Sequence, residues 1–457
     1  MAKSLVKFVC SNCGAQYSSW QGRCAQCGEW NTIAEEVQIV AVAGTGLNKK
    51  AGTGLALKTG DVVAAAAAED KRMQTGIADV DAVLGGGIVA GSVNLIAGQP
   101  GIGKSTLLLQ LAARVAQNYD VLYISGEESE HQVGMRAQRL GVKEPRLKLA
   151  TTNVAEDIAA TISGGAYNFV VVDSIQTMTV QAVAAAPGSV SQITNSTAVL
   201  VSAAKASNTA MFVVGHVTKE GSIAGPKVLE HIVDVVLQLE GEAYGGFKVL
   251  RATKNRFGPT SEAAIMEMDG EGLRPVLNPS QALLAERQVT DGSVVLATLE
   301  GTRPLLVEVQ ALVNKTSYGY PKRAASGIDL NRINLLVAML ERRTKLSLAE
   351  QDIYINIVGG IRLSDPAADL AICMAIGSAA KGLQLKANAV VFGEVGLSGE
   401  VRHVPFIDKR VAEAKKLGFE VAIGPQSRNA RTGRQAASSF LHVVPDVRTA
   451  LNDFLEK

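Results

Sequence analysis

The chain has 457 residues, of which 47% are hydrophobic and 4% aromatic, and a formal net charge of +2. Length predicts about three domains, the apolar fraction is ample for large cores, and so weak a global field excludes nucleic-acid binding by net charge alone, leaving it to local patches. No apolar run reaches the roughly 18 residues of a membrane span, and the N-terminus lacks the apolar run and cleavage pattern of a secretory signal; a cytoplasmic location is expected.

Residues 1–33 hold four of the five cysteines. Cys10-x2-Cys13 and Cys24-x2-Cys27 each precede glycine. A two-residue gap lets one tight turn aim two thiolates at one ion, and two such knuckles make a tetrahedral set for structural Zn2+. So small a unit needs its metal to fold. Its partner (DNA, protein or none) stays open, and Trp20 and Trp30 are expected in its core rather than as base-stacking platforms. Residues 34–70 are rich in Ala, Gly, Thr and Val and read as a linker. Cys373, alone in an apolar run, reads as a buried small residue.

From residue 71 to about 280 strand-like and helical stretches alternate. VNLIAG, DVLYIS, FVVVD and AMFVVGH read as buried strands and KSTLLLQLAARVAQ as a helix, which predicts an α/β fold with a parallel sheet. Between the first strand and that helix lies GQPGIGKST: Gly98, Gln99, Pro100, Gly101, Ile102, Gly103, Lys104, Ser105 and Thr106. The backbone N–H groups of such a loop cradle phosphates. Lys104 neutralises phosphate charge and Ser105 ligates Mg2+, so ATP and Mg2+ are expected cofactors. Asp173, ending FVVVD, is the acid expected to hold Mg2+ through water. Glu127, ending LYISGE, is expected to orient the attacking water, with Glu128 as the alternative. His216, ending another strand, is a possible γ-phosphate sensor or simply a packed histidine. Two Gly/Ser/Ala-rich stretches, 177–194 and 218–227, suit flexible loops facing DNA; the second carries Lys219 and Lys227.

A second α/β stretch, without a phosphate loop, runs over residues 285–457. Within it Lys315, Lys322, Arg323, Arg332, Arg342, Arg343 and Lys345 meet only Asp329 and Glu341, and Tyr318 and Tyr320 interleave with the first of them. Basic residues mixed with aromatics suit a phosphate track with stacking.

The segment TGIADVDAVLGGGIVAGSVNLIAGQPGIGKSTLLLQLA resembles the RecA-like ATPase core, in which the LGGGI turn precedes the phosphate loop. With the four-Cys module, the internal Lys254-Asn255-Arg256-Phe257-Gly258 and the C-terminal stretch, nearly the full length resembles the bacterial RadA (Sms) family of DNA repair proteins. The resemblance implies a RecA-like P-loop ATPase core between an N-terminal zinc module and a C-terminal α/β Lon-protease-like domain. It also implies a ring, usually a hexamer, that hydrolyses ATP on single-stranded and branched DNA and promotes branch migration beside a RecA-type recombinase. In RecA-like proteins lysines of the corresponding late strand reach a neighbour's nucleotide. Lys254 and Arg256 are therefore expected to act in trans; DNA contact is their other reading.

Lon proteases use a Ser–Lys dyad. Alignment on Asp365-Pro366-Ala367-Ala368 puts Ala367 at the nucleophile position, and alignment on Gly393-Glu394-Val395 puts Asp408, beside Lys409, at the lysine position. Without a hydroxyl the acyl chemistry has no first step, so the domain is expected to be proteolytically inactive and to serve assembly and DNA contact. Rival readings are a nucleotide-switched adaptor that loads a helicase or recombinase without moving, an ATP-dependent protease, and a RecA-like signalling ATPase.

Overall fold

The computed structural model describes residues 6–10, 15–17, 19–30, 33–38, 53–55, 72–216, 228–241, 246–317, 319–386, 388–426 and 440–456. It forms two compact units, Met1–Asp70 and Lys71–Lys457.

In the first unit, strands β1 (Val6–Cys10), β2 (Gln16–Tyr17), β3 (Ile33–Gln38) and β4 (Thr53–Leu55) make an antiparallel sheet in the order β2-β1-β3-β4. Within the stretch 34–70 read as a linker, residues 34–38 and 53–55 are strands, and the others lie outside the described residues. IAEEVQ pairs along the whole of β1, from Val6 opposite Val37 to Cys10 opposite Ile33, and TGL pairs with β3. Low-complexity composition hid backbone pairing, which needs no particular side chain.

Among the described residues the second unit contains two large sheets and two short two-stranded pairs. The larger runs β13-β12-β11-β10-β5-β9-β8-β6-β7, from β5 (Val93–Gly98), β6 (Val121–Ser125), β7 (Leu147–Thr151), β8 (Phe169–Asp173), β9 (Ala210–His216), β10 (Val235–Gly241), β11 (Phe247–Asn255), β12 (Ala263–Asp269) and β13 (Gly272–Pro275). From β10 to β7 every pairing is parallel, as the alternating pattern predicts. β11 to β13 add an antiparallel extension that the pattern did not announce. β5, β6 and β8 are buried along their whole length, which is why they read as continuous apolar runs. Helix Lys104–Val115 packs into one face's core, and helices Ala155–Ser163 and Val190–Ser207 into the other's.

The smaller sheet contains β14 (Ser293–Glu300), β15 (Arg303–Lys315), β16 (Arg323–Ser326) and β17 (Gln351–Ile357) in the order β16-β17-β15-β14, followed by strands Ala389–Val391, Val421–Gly424 and Leu441–Val443. Its core holds helices Leu330–Thr344 and Ala368–Lys381, the second carrying Cys373, buried as expected. The two sheets are tied directly. Arg251 on β11 bridges Glu240 of its own sheet (3.2 Å) and Glu300 of the other (2.9 Å), and Arg303 reaches Asp79 at 2.7 Å. Among the described residues no helix is long and apolar enough to cross a membrane.

Candidate functional site

The phosphate loop leaves the buried strand β5 at Gly98 and enters the helix at Lys104. A Cβ at Gly98 would stand 2.6 Å from the Leu239 carbonyl oxygen, so β10 admits only glycine there. Gly103, with φ +113°, sits left-handed at the helix N-cap; a side chain there would be strained and would also meet Met268. The buried Lys104 lies back along the loop, its Nζ donating to the carbonyl oxygens of Gly98 (2.9 Å) and Gln99 (3.0 Å). Burial lowers its pKa to about 8, and the nearby Asp173 and Glu127 carboxylates pull it back up. Both predicted acids therefore face the lysine's charge.

Asp173 ends β8, buried. Tyr123 of β6 donates its hydroxyl to Asp173 Oδ2 at 2.5 Å; burial first, and the adjacent carboxylate second, push that phenol's pKa well up. The neighbouring strand ends are stitched together: the Gly126 N–H donates to the Asp173 carbonyl at 2.8 Å, and the Ser174 hydroxyl donates to Glu127 Oε1. The two acids of GEES are thereby told apart. Glu128 takes Arg136 at 2.5 Å, on a helix opened by a Ser129–Gln132 capping box, whereas Glu127 is held beside Asp173. His216 ends β9, the strand between β5 and β8, in register with Gly98; its side chain lies outside the described residues.

The Lys254–Gly258 turn sits at the opposite end of the same sheet. Asn255 pairs with Val235 and Val235 with Asn94, while Gly98 pairs with Leu239. Four residue steps along β5 separate the two levels by about 13 Å. Lys254 Nζ donates to the carbonyl oxygens of Glu230 (2.6 Å) and Val233 (2.7 Å); burial and the Arg256 charge lower its pKa. Arg256, with 53% of its side chain exposed, pairs with Asp234 at 3.1 Å. Asp234 also takes Lys205 (3.3 Å) and the Val93 N–H (3.1 Å). Phe257 packs against the core. A Cβ on Gly258 would lie 2.6 Å from Gly85 Cα, so this turn and the LGGGI turn touch backbone to backbone.

In the first unit Cys24 and Cys27 share one turn, closed by Gly28 N–H to Cys24 O and Cys24 N–H to Glu29 O, both 2.9 Å. Cys24 is buried, its Sγ 3.1 Å from the Tyr17 hydroxyl. This knuckle fits half of a four-thiolate metal set. Cys10 ends β1, with its side chain outside the described residues, as is Cys13 altogether. Trp20 and Trp30 are 60% and 66% exposed, contrary to the core role expected of them. They flank Gly22, with Arg23 over the Trp30 ring: the knuckle is too small to enclose an indole.

The DNA-facing candidates fare unevenly. Lys219, Lys227, Tyr318 and the loop 218–227 lie outside the described residues. Lys315, Tyr320 and Lys322 are exposed. Arg323 is half-buried and donates to Asn334 Oδ1 at 3.3 Å. Arg332 leaves the expected track: it is bound to the buried Asp369, which holds its pKa up. Residues 177–194 are no open loop. A short 3-10 turn, Ile175–Thr177, precedes buried Met178 and Val180, and a helix begins at Val190. The Gln192 amide clamps the stretch between them through the Val180 N–H (2.8 Å) and the Val183 (2.8 Å) and Ala185 (3.1 Å) carbonyls.

In the smaller sheet's domain Ala367 is buried at the start of helix Ala368–Lys381. Lys409 donates to the Thr302 carbonyl at 3.2 Å and stands over the Phe406 ring. The cation that enters the interior is one residue on. Arg410, 1% exposed, bonds Asp365 (2.8 Å) and the Ala297 carbonyl (2.6 Å). Sequence reasoning missed this pair, and also Tyr123, Ser174, Asp234 and Gln192. Faint signals existed only for Tyr123, the hydroxyl within VLYIS, and Ser174, next to the strand-ending acid.

A phosphate loop on a parallel sheet's inner strand, with an acid ending the strand two places away and a second acid beyond it, defines a RecA-like P-loop ATPase. Family models agree: an AAA domain matches residues 61–222, a rubredoxin metal binding domain residues 8–35, and the ChlI subunit of Mg-chelatase residues 332–428. DNA repair protein RadA of Bacillus subtilis is 48% identical over 93% of both chains. That of Pseudomonas aeruginosa is 47% identical over 93% of this chain and 94% of its own, and that of Aquifex aeolicus 44% over 93% and 95%. The solved RadB recombinase overlays 45% of this chain and 99% of its own at TM-score 0.37 and 23% identity, too slight a likeness to add to these matches. The chain belongs to the RadA family of DNA repair proteins.

Proposed function

We propose that the chain is a DNA-stimulated ATPase motor of recombinational repair, working in the cytoplasm as a ring, expected to be a hexamer, that promotes branch migration of single-stranded and branched intermediates beside a RecA-type recombinase. The observation that carries the shared-site reading is the position of Lys254 and Arg256. They lie at the far end of the sheet from their own phosphate loop, with Arg256 half-exposed. Cations so placed cannot serve their own nucleotide and suit a neighbour's, in the manner of an arginine finger.

In this reading residues 98–106 cradle the phosphates, and Lys104 leaves the loop carbonyls to neutralise them. Ser105 and Asp173 would hold Mg2+, which when bound supplies further positive charge to the phosphates. Glu127 orients the attacking water, and His216 ends its strand where a γ-phosphate sensor would stand. Lys254 and Arg256 of the adjacent subunit stabilise charge developing on the transferred phosphoryl. Cys10, Cys13, Cys24 and Cys27 would hold Zn2+. With alanine at the nucleophile position the C-terminal domain does not cleave peptides; exposed Lys315, Lys322 and Tyr320 suit it to DNA, with Arg323 beside them and Lys219 and Lys227 as further candidates.

The test is ATP hydrolysis with and without single-stranded DNA for wild type, Lys104→Ala and Arg256→Ala. Stimulation in the wild type and loss in both variants is expected. A rate indifferent to DNA refutes the motor, and stimulation without directional branch migration by the purified protein leaves the adaptor.

A further inference from the structure

Tyr123 ranks among the largest fully buried side chains of the described residues, in the core that helix Lys104–Val115 covers. Packing alone would favour phenylalanine here, because a buried hydroxyl is costly unless it is hydrogen-bonded. This hydroxyl is committed to one acid, donating to Asp173 Oδ2 at 2.5 Å. The strand register makes the contact possible. β6 and β8 run parallel, with Tyr123 opposite Val171 and Ser125 opposite Asp173. Tyr123 and Asp173 therefore project from one face, two residue steps apart. That is about 6.6 Å along the strand, a span that a phenol covers and a serine or threonine hydroxyl does not. Burial raises the phenol's pKa, so it keeps its proton and stays the donor. Arg136, which draws that pKa the other way, is turned to Glu128 at 2.5 Å. Asp173 has a competing attraction in Lys104, which feels its charge and whose Nζ lies against the loop carbonyls of Gly98 and Gln99. A carboxylate free to rotate would turn towards that cation, and the Tyr123 bond opposes the turn.

We propose that Tyr123 is a positioning residue for Asp173: its hydroxyl holds Oδ2, fixes the acid's rotamer against the pull of Lys104, and leaves Oδ1 to meet the water shell of Mg2+. This rests on the ATPase reading above and adds a residue that selects the metal. Tyr123 is too deeply buried to reach nucleotide, and it acts through Asp173. The donor set fits Mg2+, because the Ser105 hydroxyl and one oxygen of a strand-ending aspartate are hard and few, and Mg2+ keeps several of its waters. Ca2+ favours more protein oxygens, often both of one carboxylate. An acid with one oxygen tied to a phenol offers the first kind of contact and withholds the second. A hydrogen-bond partner behind a metal ligand is typically worth roughly ten- to a hundredfold in metal affinity, and here a single hydroxyl supplies it.

The experiment measures binding of a fluorescent ATP analogue in EDTA, and then with Mg2+ or Ca2+ titrated at fixed analogue, for wild type, Tyr123→Phe, Asp173→Asn and the double variant. Tyr123→Phe should bind the analogue in EDTA as wild type does, since no phosphate contact is changed. Its Mg2+ midpoint should rise about tenfold or more and its Ca2+ midpoint less, so that the preference for Mg2+ narrows. Added to Asp173→Asn, the substitution should cost nothing further, because it acts through that carboxylate. An unchanged Mg2+ midpoint in Tyr123→Phe overturns the assignment. Affinity lost equally in EDTA and in Mg2+ marks a packing role and overturns it too, as do losses that multiply in the double variant. Mg2+ and Ca2+ midpoints that rise together overturn the metal selection. If Mg2+ does not strengthen binding to the wild type, the ATPase reading falls and the assignment with it; if Mg2+ does and Tyr123→Phe matches wild type, the assignment alone falls.

Discussion

Removing the Arg256 guanidinium separates a shared site from a self-contained one. In the folded chain Arg256 makes one half-exposed ion pair, to an Asp234 that keeps Lys205 and the Val93 N–H as partners. Such a pair contributes about 0.5 kcal/mol, so Arg256→Ala should fold normally. Its loss as a trans cation should cost about a thousandfold in kcat. Lys104→Ala should be equally inactive for the opposite reason, its loop being dead and its cations intact. Mixed in equal amounts, the two variants form sites at random, each pairing one subunit's loop with its neighbour's cations. About a quarter of those sites combine an intact loop with intact cations, whatever the number of subunits in the ring. ATPase should therefore recover to about a quarter of wild type. The assay is steady-state hydrolysis of the mixture, with subunit exchange verified by co-purification of differently tagged variants. A chain carrying both substitutions, mixed with Lys104→Ala, should stay inactive. Verified exchange without recovery refutes the trans assignment.

Two further outcomes follow from buried charges. Arg410→Met should destabilise the C-terminal domain by about 3 kcal/mol, because Asp365 loses its counter-charge in the interior; Asp365→Asn added to it should recover most of the loss, and urea unfolding that shows under about 1 kcal/mol for the single variant contradicts the buried-pair account. Lys104, lowered to about 8, is largely neutral at pH 8.5 in the nucleotide-free protein, and a triphosphate beside it favours the charged form. ATP binding at that pH should take up about three-quarters of a proton, measured by calorimetry in buffers of different ionisation enthalpy, and Lys104→Met should abolish the uptake. The same shift fixes a stability slope. The unfolded chain binds a proton that folded Lys104 has lost, so the cost of burying this lysine is full below about pH 8 and shrinks as pH rises towards 10.5.

Which parts of the site were legible depended on how local their physics is. The phosphate loop could be read because its function lies in consecutive backbone N–H groups and glycines forced by close approach, such as Gly98 against Leu239. Asp173 and Glu127 were legible as acids ending apolar strands. Sequence reasoning favoured Glu127 over Glu128 from position alone; what it could not read is that Glu128 pairs with Arg136, 8 residues on, and that Glu127 accepts from Ser174, 47 residues on. The basic run 315–345 misled at Arg332, because charge counting cannot see that Asp369, 37 residues on, is buried and needs a cation. The Gly/Ser/Ala stretch 177–194 misled in a similar way: small side chains suggested looseness, and one amide, Gln192, supplies the order.

By itself, the sequence determined the phosphate chemistry, the cysteine knuckles and the alternating strands and helices, since each follows from spacing within a few residues. Tertiary structure decided what depends on which strand lies beside which. It set Ser174 against Glu127 and Tyr123 against Asp173, and it buried Arg410 with Asp365. It also sent Lys254 and Arg256 to the end of the sheet away from their own phosphate loop, because β11 runs antiparallel to β10. Strand direction and order are set by burial across the whole sheet, and no stretch of a few residues records them.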